Sequence, residues 1–342
     1  MSVHSRKEDH VRIALQEDVR FRRKRTSFDD WEFVYNALPE IDVAEISTQT
    51  PFLGTTLKLP LMITGMTGGY PDATRINGDL AEACQDLGIA MGVGSMRACL
   101  ESAEHRESFT VVKQFSHNVP ILANIGAVQA VRWKRAGILD RMVEAAIEMV
   151  GASALALHLN PLQELTQPEG EPEYRGVTGA IAWLVEHSPV PVVVKEVGAG
   201  ISMNVAQRLA GVGVEMIDVA GAGGTSWSAV EIMRHPTPDQ VDHLWDVGIP
   251  TAEALVQCRG IVPTLIASGG ISNGVDIAKA VALGANLAGA ARPLLLAHHA
   301  GGTAAILQLV RSWELQIRQM MFLSGSGSLE QLRTTENMIC LH

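Results

Sequence analysis

The chain has 342 residues, 47% hydrophobic and 19% charged, with 32 glycines, an ordinary globular mixture rather than a disordered or fibrous one. A net charge of -10 argues against a general nucleic-acid binder, which needs a basic surface to neutralise phosphates. No uninterrupted apolar segment reads as a membrane span, the N-terminus is too charged for a secretory signal, and the cysteines (Cys84, Cys99, Cys258, Cys340) lack metal-ligand spacing, so a reduced, cytoplasmic protein is expected.

Residues 1–55 precede the first strand candidate and read as a helical and irregular cap; the basic clusters "SRKEDH" and "FRRKR" leave room there for a local anion site. Short apolar runs then recur: "LPLMIT" from Leu59, "GIAMGVG" from Gly88, "VPILANI" from Val119 and "ASALALHL" from Ala152. They continue with "VPVVVKEV" from Val190, "VEMIDVA" from Val214, "VPTLIAS" from Val262 and "ANLAGAA" from Ala285. Helical patterns such as "TRINGDLAEACQDLG" and "ILDRMVEAAIEMVG" separate them, each stopping near a glycine. Eight strands alternating with helices predict a single-domain (β/α)₈ barrel over 56–303, with a doubly wound sheet as the rival. Residues 304–342 read as an amphipathic closing helix and a tail.

Barrel enzymes carry their chemistry where the strands end. Here those ends read "TGMTGG", "GSMR", "NIGA", "HLNPLQE", "KEVGAGIS", "AGAGGTSW" and "SGGIS". Alternation in the fourth strand places Ala154, Ala156, His158 and Asn160 on the inner face and Leu155, Leu157 and Leu159 on the helix side. His158 is then either a hydrogen-bonded core histidine or a ligand, and Asn160 either a turn residue or a ligand. Lys195 closes the fifth strand, as a Schiff-base nucleophile, a cation beside an electron-rich ring, or a salt-bridged rim residue. "SGGISNG" and "GAARP" follow the seventh and eighth strands, where barrels hold phosphate on backbone N–H groups, and point to a phosphorylated cofactor.

Together with "RKEDH" and "GAGGTSWSAVE", these motifs resemble, in order and over nearly the whole chain, type 2 isopentenyl-diphosphate isomerase, an FMN- and magnesium-dependent barrel of terpenoid biosynthesis. The resemblance implies a flavin held by Gly65, Met66 and Thr67 and lined by Ser95, Asn124, Lys195 and Thr225. It implies an FMN phosphate on Gly270, Ile271, Ser272, Ala291 and Arg292. Arg6, Lys7, His158, Asn160 and Gln163 would bind the substrate, with His158 and Asn160 as donors to the diphosphate, and Glu164 would ligate magnesium. Gln163, Lys195 and Glu231 are the catalytic candidates: Gln163 as orienter or relay, Glu231 supporting the site rather than serving as the acid. NADPH would reduce the flavin, a homo-oligomer (tetramer or octamer) is expected, and 166–176 would form a lid. Met96 and Ser272 depart from the family pattern, where glutamine and arginine are usual. The alternative reading is an FMN oxidoreductase of the 2-hydroxy-acid oxidase type, which needs a histidine base and arginines near the flavin; the sixth strand ends in neither. A flavin-binding module without activity would leave "HLNPLQE" and Arg6–Lys7 without work.

Overall fold

A computed structural model describes residues 3–102, 104–334 and 338–341. Eight parallel strands close into a barrel: β1 Leu61–Ile63, β2 Ala90–Gly92, β3 Ile121–Gly126, β4 Ala154–His158, β5 Val192–Lys195, β6 Met216–Asp218, β7 Thr264–Ser268 and β8 Leu287–Ala290. Each lies within a run that the apolar pattern singles out, save that β3 extends one residue further to Gly126, and the doubly wound alternative is excluded because β8 pairs with β1. Among the helices are α1 Val3–Gln16, α2 Ala73–Leu87, α3 Ala127–Arg135, α4 Pro161–Thr166, α5 Trp227–Arg234, α6 Gly274–Ala282 and α7 Arg292–Leu323.

Strand alternation sorts the apolar residues into two cores. Met62, Ala90, Leu122, Ala154, Val193, Met216, Ile266 and Leu287, one from each strand, fill the barrel. Phe52 and Leu57, from the hairpin pairing Thr50–Phe52 with Thr55–Leu57, complete this inner cluster. Leu155, Leu157, Val194 and Ile217 face outward into the barrel–helix layer. A barrel packed this way is no pore, and free space remains only above the side-chain layer.

By length and hydropathy α7 meets the criteria for a membrane-crossing helix, which the linear reading did not anticipate. Non-helical dihedrals at Gly301 and Gly302 divide it. Its second part carries Arg311, Glu314 and Arg318 and buries Ile306, Val310, Trp313, Ile317 and Met321 in the barrel–helix layer. Those contacts make it a packing helix. The strand Trp31–Phe33 pairs antiparallel with Met338–Cys340, tying the segment before the barrel to the one after it. In the "FRRKR" cluster Arg22, Arg23 and Arg25 pair with Asp242, Asp246 and Asp30, and Lys24 donates to the Gly248 carbonyl.

Candidate active site

Register aligns the polar strand ends. Gly126 lies opposite His158, His158 opposite Lys195, and Lys195 opposite Asp218. In-register residues of neighbouring parallel strands share a face, so His158, Lys195 and Asp218 form one row above the apolar filling. They border a cavity of about 480 Å³, a usual size for a small-molecule site. Every site residue inferred from the sequence lines it except Glu231, which lies directly behind Gln163.

Arg6, Lys7 and His10 reach one end of the cavity from α1. Lys7 donates from Nζ to the Ser95 carbonyl at 2.6 Å and stands 5.4 Å from the centre of the Phe109 ring. Burial lowers its pKa to about 8, with the Cys99 thiol opposing and the Arg6 cation adding to the shift. The Arg292 side chain holds the other end of α1, donating to the carbonyls of Ala14 at 2.7 Å and Glu17 at 3.2 Å. Its guanidinium thus anchors a helix, and only its backbone is offered to a phosphate.

His158 is 8% exposed, and its Nδ1 lies 2.8 Å from Asn124 Oδ1. Asn124 Nδ2 donates to the Val93 carbonyl at 3.0 Å, which identifies the amide oxygen and places the imidazole proton on Nδ1. Burial, with the cations Lys195 and Lys7, drives the imidazolium pKa down to about 3. His158 is therefore neutral, and its Nε2 carries a lone pair. That corrects the expectation of an anion donor: in this state it accepts.

Asn160 shares its Nδ2 between Gln163 Oε1 at 3.2 Å and Glu164 Oε1 at 3.0 Å. Tyr174 donates to Asn160 Oδ1 at 3.0 Å and accepts from the Asn160 backbone N–H at 3.1 Å. Gln163 donates to Glu231 Oε1 at 2.9 Å, and His10 Nε2 lies 2.9 Å from the same oxygen. Arg234 donates to Glu231 Oε2 at 2.5 Å. Gln167, its amide oriented to satisfy both neighbours, accepts from Arg6 at 2.8 Å and donates to Glu231 at 3.2 Å. Burial alone would raise the Glu231 pKa, but the donors His10 and Gln163 and the Arg234 charge hold it at about 2. An anion so saturated is a scaffold for Gln163 rather than a proton donor.

Glycines let backbone elements approach where a flavin would lie. A Cβ at Gly65 would come within 2.3 Å of the Val93 carbonyl oxygen, and one at Gly224 within 2.4 Å of the Gly270 nitrogen. Thr67 Oγ1, buried on the loop after β1, faces the Tyr70 hydroxyl. This open, glycine-lined trough fits a planar cofactor. At its far end Ile271 buries its side chain and can offer only backbone. Ser272 differs from expectation: its N–H and hydroxyl both donate to Asp276 Oδ2, each at 2.9 Å, so neither is free for a phosphate. Gly270 and Ile271 and the start of α7 at Ala291–Arg292 are the backbone donors on offer. Met96 packs fully buried in the barrel–helix layer and is not among the residues lining the cavity.

Among the described residues no cluster of His, Cys, Asp and Glu could hold a metal alone. Glu164, with Oε1 taken by Asn160 and Oε2 by the Glu171 N–H at 2.8 Å, keeps lone pairs for one ion completed by substrate oxygens and water, as magnesium prefers. The 167–176 segment is latched down: Glu171 pairs with Arg97 at 3.1 Å and Arg132 at 2.6 Å. His10, Arg97, Gln129, Gln167 and Trp227 also line the cavity, unnoticed from the motifs. His10 and Gln167 carried a signal, each four positions after a named residue on the same helical face (Arg6 and Gln163). The cavity holds an imidazole–carboxylate pair and arginines from other elements, so their absence at the end of β6 does not by itself exclude dehydrogenation.

A family model described as FMN-dependent dehydrogenase matches residues 2–159 and 177–339. The isopentenyl-diphosphate delta-isomerase of Pelodictyon phaeoclathratiforme is 42% identical over 345 residues, covering 96% of this chain and 95% of that protein. The enzyme of the same name from Metallosphaera sedula is 43% identical over 344 residues, covering 97% and 92%. Among solved structures, a flavocytochrome b2 mutant with pyruvate superposes with TM-score 0.69 at 18% identity, covering 97% of this chain and 82% of that one. A mandelate oxidase mutant with (S)-mandelic acid gives 0.63 at 19%, covering 95% and 88%. At such identities these structures establish a shared barrel only, whereas the isomerases align along nearly their whole length. The chain belongs to the isopentenyl-diphosphate delta-isomerase family, built on the FMN-dependent dehydrogenase barrel.

Proposed function

We propose that the protein interconverts isopentenyl and dimethylallyl diphosphate with reduced FMN and magnesium, in isoprenoid biosynthesis. The observation that carries this reading is a single cavity lined both by the cations Arg6, Lys7 and Arg97 and by the glycine trough. Arg6 and Lys7 bind the diphosphate by charge and N–H donation, whereas Asn160, expected from the sequence as a donor to it, has both amide hydrogens engaged and positions Gln163 and Glu164. Glu164 would supply a protein oxygen to a magnesium ion, which would neutralise diphosphate charge. Gln163, held by Glu231 and Asn160, has no proton that it can release near neutral pH, so it orients the hydrocarbon end. Gly65, Met66, Thr67, Ser95, Asn124, Lys195 and Thr225 would hold the flavin ring, and Gly270, Ile271, Ala291 and Arg292 its phosphate. Reduced FMN, when bound, would supply an electron-rich ring able to stabilise a developing cation. Lys195, between His158 and Asp218, places a cation at the cavity floor. NADPH serves as the reductant, and the protein works in the cytoplasm as a homo-oligomer.

The reaction moves no electrons overall, and this separates it from 2-hydroxy-acid oxidation. Under anaerobic conditions the oxidised holoenzyme should be inactive, and one reduction by dithionite or NADPH should sustain many turnovers, with solvent deuterium entering the product. Consumption of one NADPH per product would sink the isomerase reading in favour of the oxidoreductase.

A further inference from the structure

Asn160 stands at the N-cap of α4, where an asparagine oxygen ordinarily accepts from one of the helix's first backbone N–H groups. Here the side chain makes no such cap. Its Nδ2 turns instead to the side chains of Gln163 at 3.2 Å and Glu164 at 3.0 Å. The group that diverts the amide from its usual place is half-buried Tyr174, on the segment after α4.

The Tyr174 hydroxyl accepts from the Asn160 backbone N–H at 3.1 Å, and a backbone N–H can only donate. The single phenol proton is therefore left for another acceptor, and it goes to Asn160 Oδ1 at 3.0 Å. Burial raises the phenol's pKa, against the Asn160 N–H and with the Glu164 and Glu196 charges adding, so that proton stays in place at neutral pH. One hydroxyl thus grips Asn160 twice. It occupies the oxygen that would cap α4 and leaves Nδ2 facing Gln163 and Glu164. Tyr174 is not among the residues lining the cavity, so its hydroxyl reaches the site through Asn160. The segment has a separate hold at Glu171, whose N–H donates to Glu164 Oε2 at 2.8 Å and whose carboxylate pairs with Arg97 and Arg132.

We infer that Tyr174 is a positioning residue: its hydroxyl fixes the Asn160 amide, which sets Gln163 for the hydrocarbon end of the substrate and Glu164 for magnesium. This role rests on the isomerase reading of the cavity and adds the group that aims its two α4 side chains. Without the hydroxyl, Asn160 Oδ1 is free to return to the α4 backbone, and both side chains lose their donor. Loss of a neutral hydrogen bond corresponds to about a 3- to 10-fold effect.

The test compares three holoenzymes: Tyr174→Phe, which keeps the ring, Asn160→Ala, which removes no backbone cap, and the double variant. Steady-state constants for isopentenyl diphosphate are measured on reduced enzyme. Calorimetry gives the affinity for inorganic pyrophosphate with and without magnesium, with FMN affinity and Tm alongside. Tyr174→Phe should lower kcat/KM, and the factor by which magnesium strengthens pyrophosphate binding, each about 3- to 10-fold. Pyrophosphate affinity without magnesium, which Arg6 and Lys7 supply, should stay constant. Added to Asn160→Ala, Tyr174→Phe should cost nothing further, because it acts through the amide. The same loss in both backgrounds, no loss in either, or a loss that tracks Tm or FMN affinity overturns the assignment in favour of a packing tyrosine. Should Asn160→Ala melt below the assay temperature, the magnesium factor of Tyr174→Phe decides alone. A wild-type enzyme whose pyrophosphate binding ignores magnesium overturns the Glu164 half of the assignment. One that, when reduced, does not turn over isopentenyl diphosphate overturns the functional reading itself, and the role of Tyr174 falls with it.

Discussion

At the residue scale, environment rather than residue type sets the charges at the cavity. His158 is neutral because burial and two cations disfavour its imidazolium, while Glu231 is ionised because four donors surround it. Lys7 provides the pH test. It is cationic below its pKa, so the free enzyme loses that charge as pH rises through about 8, well below the ordinary 10.5. The groups that face it are the Ser95 carbonyl, the Phe109 ring, the Cys99 thiol and the Arg6 cation. A plot of kcat/KM against pH should therefore fall along a limb near 8. In stability the sign is opposite: the folded state binds fewer protons than the unfolded between pH 8 and 10.5, so the cost of the buried ammonium is present below 8 and relieved above it. Lys7→Met should abolish the limb without lowering Tm at pH 7; a limb that survives belongs to another group. Glu164→Gln, in turn, should lose most activity at ordinary magnesium while keeping FMN, because the amide cannot replace a charged ligand. Normal turnover in that variant, or loss of flavin, would remove Glu164 from the metal role.

At the element scale, α1 acts as a cover with two faces. Ile13 and Ala14 are buried, Arg292 holds its last turn, and Arg6, Lys7 and His10 extend from its first half over the cavity. Contact and packing are thus divided along one helix. Deleting residues 1–8 should raise KM about 100-fold or more, through two lost cationic contacts, with a small change in Tm because residues 9–16 keep their packing. A steady KM on kinetic assay would reduce Arg6 and Lys7 to a solvated basic face. The segment after α4 is likewise held from outside, by Arg97 and Arg132 on Glu171 and by Tyr174 on Asn160. Arg97 also lines the cavity, so an arriving anion competes with Glu171 for it.

At the scale of the whole molecule, the cofactor trough is assembled from loops after β1, β2, β3, β5, β6, β7 and β8. A ligand touching all of them stabilises the barrel as a unit. FMN at a hundredfold excess over its dissociation constant should add about 2.7 kcal/mol and raise Tm by roughly 4 °C. Gly224→Ala, whose Cβ would stand 2.4 Å from the Gly270 nitrogen, should diminish that shift, since rigid backbone cannot yield. An undiminished shift on thermal melting with and without FMN would place the cofactor elsewhere.

Some of this was present in the linear chain. The apolar runs, their period of two and the glycines after them determined eight strands, the inward turn of Ala154 and His158, and the outward turn of Leu155 and Leu157. Those properties are local: strand alternation and backbone freedom belong to neighbouring residues. The motif ends, from "TGMTGG" to "SGGIS", likewise named most of the cavity wall. Tertiary structure alone decided who partners whom. It set Gln163 on Glu231 across 68 positions, turned Arg292 away to α1, and gave the donors of Ser272 to Asp276. It also made His158 an acceptor, because desolvation and the placement of Asn124, Lys7 and Lys195 exist only once distant segments pack. Hydrogen bonds and charge states depend on distances through space, and spacing along the chain does not contain them.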